Sequence, residues 1–250
     1  MLDRTQEPST PFPWDALRPP RFPRVARLGG KALRLAYRLT GSDLEGDVRL
    51  ERVHGAPILV TPSVFNPQRT RTGAFLARHL DSHRVSADAD VLDMGTGSGV
   101  CAIFAARAAR RVVAVDINPA AVRCAGINAA LNHLENRIEV RHGDLFAPVA
   151  GERFDLIVFN PPFLYGMPRD DRDRAWRSTD VAERFTAGLR EHLKPLATAL
   201  VVLSSFGDAR MFLEQFRRHG LAIAVLAERR YFNERLAIFR LEPPRGRSAV

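Results

Sequence analysis

Short apolar runs alternate with longer amphipathic segments from residue 90 to residue 241, and this pattern restricts the chain to few folds. Short runs rich in β-branched residues predict strands, whereas apolar residues that recur every three or four positions predict helices. The predicted strands are residues 91–94, 112–115, 138–141, 156–159, 199–203, 221–227 and 236–241, and the predicted helices are residues 100–109, 119–131, 181–193 and 209–219. Such alternation implies a mainly parallel, doubly wound α/β sheet, whose ligand lies at the carboxyl ends of the strands.

The part of the chain before this alternation differs in composition. Residues 1–23 contain six prolines and little periodicity, which predicts a loosely docked tail. Residues 24–39 place basic side chains at spacings of three and four, so one helix face either contacts phosphates or is simply solvated. Residues 47–60 predict a short hairpin that turns at residues 54–57. We therefore expect a Pro/Arg-rich N-terminal extension (1–56), an α/β domain (57–242) and a C-terminal tail (243–250).

Charge and apolar patterning limit the partners. The formal net charge of +9 favours a polyanionic partner such as RNA or a ribosome, although solvated arginines explain it equally well. No apolar run approaches the ~20 residues of a membrane span. The polar N-terminus also lacks the apolar core of a signal peptide, so we expect a cytoplasmic protein without a membrane partner. Cys101 and Cys124 fall in apolar helical segments, which predicts buried free thiols, and the pattern predicts no metal site.

A glycine-rich turn joins the first predicted strand to the first predicted helix. Directly after Asp93 it contains Gly95, Thr96, Gly97 and Gly99. Glycines there allow positive φ angles and a close approach of a ligand to the backbone. The spacing departs from a dinucleotide-binding fingerprint, because Val100 occupies the position of its third glycine. Asp93 would repel a phosphate but suits a cationic ligand, so the turn predicts a site for a positively charged cofactor.

Two more acidic residues follow the next two predicted strands. Asp116, followed by Ile117 and Asn118, ends the second strand, where an acid can hold a ribose diol. Asp144, followed by Leu145, ends the third strand and can accept a hydrogen bond from an adenine amine. Each acid alone is equally explained as a helix cap or turn residue. Because all three acids fall at consecutive strand ends, they predict a site for adenosine beside a positive centre, which describes S-adenosylmethionine.

The fourth predicted strand runs directly into a turn that two prolines stiffen. The residues of this turn are Asn160, Pro161, Pro162 and Phe163. Proline fixes φ near about −65° and donates no N–H, so the Asn160 carboxamide and the Pro161 carbonyl are held as two acceptors. They suit a planar N–H₂ group packed beside the Phe163 ring, such as an amide or an exocyclic base amine. The alternative is a plain turn that ends the strand.

With these residues, the chain resembles class I S-adenosylmethionine-dependent methyltransferases over about residues 57–242. More narrowly, it is similar to the subgroup with Asn-Pro-Pro-Phe or Asn-Pro-Pro-Tyr after the fourth strand, which methylates planar nitrogens. This resemblance implies a Rossmann-like, seven-stranded sheet with an antiparallel last strand and S-adenosylmethionine as cofactor. The cofactor contacts that it implies are Asp93, Gly95, Thr96, Gly97, Gly99, Asp116, Ile117, Asn118, Asp144, Leu145 and Asn160. The catalytic residues that it implies are Asn160, Pro161, Pro162 and Phe163.

Within the subgroup, residues 92–99 and 116–119 most resemble release-factor-type (HemK-like) glutamine methyltransferases. Residues 64–67 resemble the segment that closes over the cofactor in those enzymes. In those enzymes the segment carries an acid and a Thr or Ser. Here it has no acid, and Thr72 supplies the candidate hydroxyl. The glycine pair that usually follows the Asn-Pro-Pro-Phe motif is absent. Residues 165–178 form a candidate substrate lid, in which Trp176 either stacks on a base or packs in the core.

The resemblance leaves several acceptors open. The leading hypothesis is methylation of a glutamine side chain in a translation protein, either a release factor or a ribosomal protein, because the motifs match best there. The second is methylation of an exocyclic amine of adenine or guanine in RNA or DNA, which the basic charge favours. A small-molecule methyltransferase is the third. The intact Asn160 argues against a cofactor-binding protein without catalysis. The spacing of the glycines argues against an NAD oxidoreductase.

Overall fold

The computed structural model describes residues 47–80, 85–162, 164–167, 177–232 and 234–243. Several predicted features lie outside the described residues: the proline-rich tail, the basic helix face of residues 24–39, Phe163, Trp176 and nearly all of the C-terminal tail.

The described ranges contain eleven strands and six α-helices. The strands are β1 (Arg49–Val53), β2 (Ala56–Val60), β3 (Asp90–Met94), β4 (Arg111–Asp116), β5 (Ile138–His142), β6 (Phe154–Phe159), β7 (Leu164–Tyr165), β8 (Arg177–Ser178), β9 (Leu193–Ser204), β10 (Ala222–Arg230) and β11 (Arg235–Glu242). The helices are α1 (Pro67–Thr70), α2 (Thr72–Arg78), α3 (Val100–Ala106), α4 (Pro119–Leu131), α5 (Val181–His192) and α6 (Ala209–Arg218).

Seven of these strands form one sheet in the order β10-β11-β9-β6-β3-β4-β5. Strands β3, β4, β5, β6 and β9 are parallel, whereas β11 is antiparallel to both β9 and β10. The predicted fold, a doubly wound seven-stranded sheet with an antiparallel last strand, is confirmed. The last strand reverses because only a short turn joins it to β10, and a parallel pair would need a long crossover. The strand order reverses between β3 and β6, which is where such sheets bind ligands.

The sheet is buried on both faces by two groups of apolar residues. Alternation along β3 sends Val91 to the face covered by the β1–β2 hairpin and helices α2, α3 and α4. Leu92 and Met94 point to the other face, where they pack in the same cluster as residues of α5 and α6. Cys101 and Cys124 are buried free thiols on the first face, as predicted.

The hairpin is tighter than predicted. Its turn consists of His54 and Gly55 alone, both with positive φ, which matches the backbone twist of a two-residue hairpin loop. Pro57, predicted to lie in the turn, instead pairs with Arg52 across the two strands. Because Val53 and Ile58 are fully buried against the helices, we propose that the α/β domain begins before β1 rather than at residue 57.

Candidate cofactor and acceptor site

A cavity of about 370 Å³ opens at the carboxyl ends of β3, β4, β5 and β6. This volume lies within the range of small-molecule binding pockets. The predicted site residues that line the cavity are Asp93, Gly95, Thr96, Gly97, Asp116, Ile117, Asn118, Asp144, Leu145, Asn160, Pro161 and Pro162. Of the predicted residues that the structure describes, Gly99 and Thr72 lie outside this lining. The parallel strands therefore bring residues from four separate segments to one place.

Asp93 fastens the glycine-rich turn to the start of α3. Its Oδ2 accepts hydrogen bonds from Thr96 Oγ1 at 2.6 Å and from the Ala102 N–H at 2.9 Å. The residue is only 3% exposed, and burial raises its pKa from 3.8 to about 7, against the opposing effect of these two bonds. Asp93 thus has a structural role that its position in the sequence did not predict, in addition to facing the cavity.

The raised pKa of Asp93 makes the stability of the ligand-free protein depend on pH. An acid whose pKa is higher in the folded state destabilises the fold progressively as pH rises from the unfolded to the folded pKa, here from 3.8 to about 7. Asp93→Asn keeps an acceptor oxygen but does not titrate. We expect its melting temperature to exceed that of the wild type at pH 8, and the difference to shrink towards pH 5, as followed by circular dichroism. A difference that is the same at both pH values would contradict this role of burial.

Gly97 and Gly99 serve different purposes in the turn. Gly97 has φ 56°, and among the described residues, apart from its chain neighbours, no atom lies within 4 Å of the position that a Cβ would take, so the space beside it can hold a ligand. Gly99 has φ 81°, and a Cβ there would lie 3.2 Å from Ala125 on α4. Gly99 thus allows close packing of α3 against α4, and it lies outside the cavity lining, so its predicted cofactor contact stays a prediction.

Asp116 organises the second loop of the site. Its Oδ2 accepts from the Gly97 N–H and its Oδ1 from the Asn118 N–H, each at 2.8 Å. Asn118 in turn caps α4 through the Ala120 N–H at 2.9 Å. Burial raises the pKa of Asp116, although these backbone bonds oppose the shift. Each carboxylate oxygen has a second lone pair, so Asp116 can still accept hydrogen bonds from the two hydroxyls of a ribose.

Asp144 has a partner that the sequence did not indicate. Its Oδ2 accepts a hydrogen bond from Arg184 Nη2 at 2.6 Å, and the Arg184 guanidinium also lies 3.6 Å from Asp180. Arg184 lines the cavity from α5, 40 positions along the chain, and no local pattern links it to Asp144. Next to Asp144, Leu145 adopts a left-handed backbone with φ 48°, a conformation that costs a non-glycine residue roughly 1–2 kcal/mol.

Asn160 faces the cavity at the end of β6. Within the described part of the chain, its carboxamide makes no hydrogen bond, so both of its polar atoms can meet an acceptor substrate. Pro161 behind it is buried and Pro162 is half-buried. On the preceding strand, Phe159 packs against Gly95, where a Cβ would meet its ring at 3.4 Å. The turn after β6 is thereby held against the turn after β3.

The ends of the predicted lid are fixed beside the cavity. Strand β7 pairs with β8, which matches Leu164 with Arg177 and Tyr165 with Ser178. Met167, Arg177 and Ser178 line the cavity, and Met167 is 75% exposed. The residues between these two strands lie largely outside the described ranges.

A segment between the hairpin and α2 covers the other side of the cavity. Phe65, Pro67 and Gly73 contribute to the lining. Asn118 Nδ2 donates to the Ser63 carbonyl at 3.0 Å, which ties this segment to the Asp116 loop. Thr72, predicted to supply a hydroxyl, is 2% exposed, and its Oγ1 has no hydrogen-bond partner among the described residues.

Asn128 on α4 connects the hairpin with the glycine-rich turn. Its Oδ1 accepts from the Leu59 N–H at 2.7 Å, and its Nδ2 donates to the carbonyls of Leu59 at 2.6 Å and Ser98 at 2.8 Å. The side chain is fully buried, so removal of these bonds would leave buried backbone groups unpaired. Asn128 is not predictable from the sequence, because an isolated Asn in a helix carries no local signal.

Clusters of metal-ligating side chains and membrane-spanning helices are both missing from the described ranges. Across these residues, no group of three or more His, Cys, Asp or Glu side chains is arranged to hold a metal ion. Among the helices that the structure describes, none combines the length and the apolar character that crossing a membrane requires.

Comparisons with known proteins extend over most of the chain. Residues 56–231 match the model of the methyltransferase small domain family. The ribosomal RNA small subunit methyltransferase C of Alcanivorax borkumensis is 37% identical over 135 residues, which are 54% of this chain and 38% of that protein. The release factor glutamine methyltransferase of Koribacter versatilis is 33% identical over 177 residues, 64% of this chain and 62% of that protein. The chain thus spans less than two thirds of each of these two relatives.

Among solved structures, the chain is similar to a 16S rRNA N2 methyltransferase of T. thermophilus in complex with AdoMet and guanosine. The TM-score is 0.58 and the identity 25%, over 79% of this chain and 50% of the other.

Proposed function

Because the chain belongs to the methyltransferase small domain family, we propose that it transfers a methyl group from S-adenosylmethionine to a planar nitrogen. The predicted resemblance to class I methyltransferases, including the release-factor type, is confirmed by this family and by relatives of that name. The observation that carries the proposal is the Asn160 carboxamide, which faces the cavity without a hydrogen bond to another described residue.

The residues around the cavity fit the predicted cofactor. We assign the ribose hydroxyls to Asp116 and the adenine amine to Asp144, since both carboxylates line the cavity and keep free lone pairs. The open backbone at Gly97 and the carboxyl of Asp93 suit the positively charged methionine part. When bound, S-adenosylmethionine supplies an electrophilic methyl group on its sulfonium.

The turn after β6 would hold the acceptor for an in-line displacement. Asn160 Oδ1 and the Pro161 carbonyl each accept one N–H of the substrate, which directs the nitrogen lone pair towards the methyl group. The same bonds stabilise the positive charge that develops on nitrogen.

Holding two reactants in line is worth up to ~7–11 kcal/mol, so positioning supplies most of the acceleration. The scheme needs no general base before the transition state, because the proton leaves after the new bond forms. Phe163, outside the described residues, keeps its proposed place beside the planar group.

The first candidate acceptor is a glutamine side-chain amide of a release factor or ribosomal protein. Relatives named for these two substrates support it, namely the Koribacter versatilis enzyme and the ribosomal protein uL3 glutamine methyltransferase of Bradyrhizobium diazoefficiens. A cytoplasmic location, where translation proteins are modified, remains part of this proposal.

The second candidate acceptor is an exocyclic base amine in RNA. Relatives named for rRNA support it, and so does the basic charge of the chain. The two acceptors present the same planar N–H₂ group, so the turn after β6 accommodates either of them.

One labelling experiment separates these acceptors. The protein is incubated with a cell extract and S-adenosylmethionine carrying a tritiated methyl group, and the product is divided between protease and nuclease digestion. Label released by protease supports the glutamine acceptor, and label released by nuclease supports the base amine. The Asn160→Ala variant serves as control and should transfer about 10²–10³-fold less label in the same time. A wild type that binds the cofactor but labels neither class of macromolecule would contradict both acceptors.

A further inference from the structure

Two arginines contact one tyrosine near the segment that contributes Pro67 and Gly73 to the cavity. The Cζ atom of Arg71 lies 4.5 Å from the centre of the Tyr231 ring, and the Cζ atom of Arg229 lies 5.4 Å from it. Arg71 separates α1 from α2, within the segment whose Pro67 and Gly73 line the cavity. The contact therefore joins the segment that covers one side of the cavity to the residue that follows β10, although Arg71 and Tyr231 are far apart in the chain.

The neighbours of Tyr231 extend this contact into a surface. Arg230 is exposed at the end of β10, and Phe232 is 80% exposed directly after Tyr231. We call Arg71, Arg229, Arg230, Tyr231 and Phe232 the arginine–aromatic surface.

The arginine–aromatic surface lies on the same sheet edge as Asn160. Leu236 at the start of β11 pairs with Ser204 at the end of β9, and Phe159 on β6 pairs with Val201 of the same strand. Strands β11 and β10 are the second and third from β6, and neighbouring strands are ~4.8 Å apart, so the surface is displaced roughly 10–15 Å across the sheet. The register displaces it by about three more residues, or ~10 Å, along the strands, which puts it roughly 14–18 Å from Asn160. At ~3.4 Å per stacked nucleotide, this distance corresponds to about four or five nucleotides.

The charge of the surface is positive. Among the described residues, Glu228 and Glu234 are the acids next to its arginines. Glu228 lies 3.9 Å from Arg230, a distance at which an exposed pair is weak. Glu234 points inward, where its Oε1 accepts a 2.5 Å hydrogen bond from Ser204 and burial raises its pKa. Glu234 also interacts electrostatically with Arg71 and offsets part of its charge. The three arginines of the surface still outnumber these two acids, and the whole chain carries a net charge of +9.

Arginines beside exposed aromatic rings match one class of partner better than others. Single-stranded RNA presents phosphates to guanidinium groups and unstacked bases to aromatic rings and guanidinium planes. An acidic protein segment would satisfy the charge but would bring no planar base to the exposed Phe232 ring.

We propose that the arginine–aromatic surface binds the single-stranded RNA that flanks the base presented to Asn160. The inference rests on the proposed function in its base-amine form, since a flanking strand has to run from the surface to the cavity.

The test measures the affinity of a short, fluorescently labelled single-stranded RNA of mixed sequence by anisotropy. We expect the double variant Arg229→Glu/Arg230→Glu to bind this RNA at least tenfold more weakly than the control does. The control is Arg153→Glu/Arg218→Glu, which makes the same charge change at exposed sites near the amino edge of the sheet. The slope of log affinity against log salt should fall by about 0.7 for each phosphate that the variant no longer neutralises. Phe232→Ala should weaken binding about tenfold without changing this slope, because it removes an aromatic ring but no charge.

Any of three binding results would overturn the proposal. The wild type does not bind the RNA, the affinity for RNA falls equally in the surface and control variants, or the surface variant loses affinity for a glutamate-rich peptide but not for RNA. Cofactor affinity, measured by calorimetry, should be unchanged in all of these variants. If RNA binding depends on the surface but no methyl group reaches any acceptor, the proposed function fails and the surface stands. If protein glutamine is methylated equally by surface and control variants, the RNA proposal fails and nitrogen methylation stands.

Discussion

Asn160→Ala should lower kcat by about 10²–10³-fold while changing the Kd for S-adenosylmethionine less than about threefold. The variant removes an acceptor that meets positive charge only as the new bond forms, and removal of one such preorganised polar group costs a rate factor of this size. The Asn160 carboxamide holds no other described residue in place, so the fold and the cofactor site should not change. On the same preparation, single-turnover kinetics measure the rate of methyl transfer and calorimetry measures the Kd for S-adenosylmethionine.

Asn160→Asp is the matched control, because it keeps the size of the side chain and its acceptor oxygens. If Asn160 acts as an acceptor, the aspartate variant should retain much more activity than the alanine variant. Undiminished turnover in Asn160→Ala would refute the mechanism. A decrease in cofactor affinity as large as the decrease in kcat would assign Asn160 to binding instead.

Asp116→Ala should weaken S-adenosylmethionine binding by about 10²–10⁴-fold. Each hydrogen bond from a ribose hydroxyl to a carboxylate is worth about 1.5–3 kcal/mol, and the alanine variant makes neither of the two. It also frees the N–H groups of Gly97 and Asn118, which Asp116 now holds at 2.8 Å. Calorimetric titration with S-adenosylhomocysteine measures the effect without turnover.

A ligand without the ribose hydroxyls separates the hydrogen bonds that Asp116 makes to the ribose from the bonds by which it holds the loop. The 2′,3′-dideoxy form of S-adenosylhomocysteine should bind wild type and Asp116→Ala with similar affinity if the carboxylate acts through the diol. If the variant binds this ligand much more weakly than the wild type does, Asp116 acts by holding the loop. Unchanged affinity for the full cofactor would remove Asp116 from the ribose site.

The fold was predictable because its signals are local. Helix α4 begins and ends where the sequence predicts, since Asn118 caps it and Pro119 occupies its first turn. Strands β3 to β6 are short runs that end in turn residues, and helices α3 and α4 make the parallel crossovers from β3 to β4 and from β4 to β5. The prediction was less accurate where no turn residue marks a boundary. Helix α5 passes into β9 at Leu193 without a loop, so the predicted helix extended one residue into the strand.

The sequence alone determined which side chains stand at the strand ends, because a strand followed by a turn places the next residues at one edge of a parallel sheet. This reasoning located Asp93, Asp116, Asp144 and Asn160 around one cavity. It could not determine the partners of these residues. The Arg184 bond to Asp144 and the contact of Arg71 with Tyr231 join segments that are far apart in the chain. Such contacts depend on strand order, register and helix packing, which no local pattern encodes, so only the tertiary structure decided them.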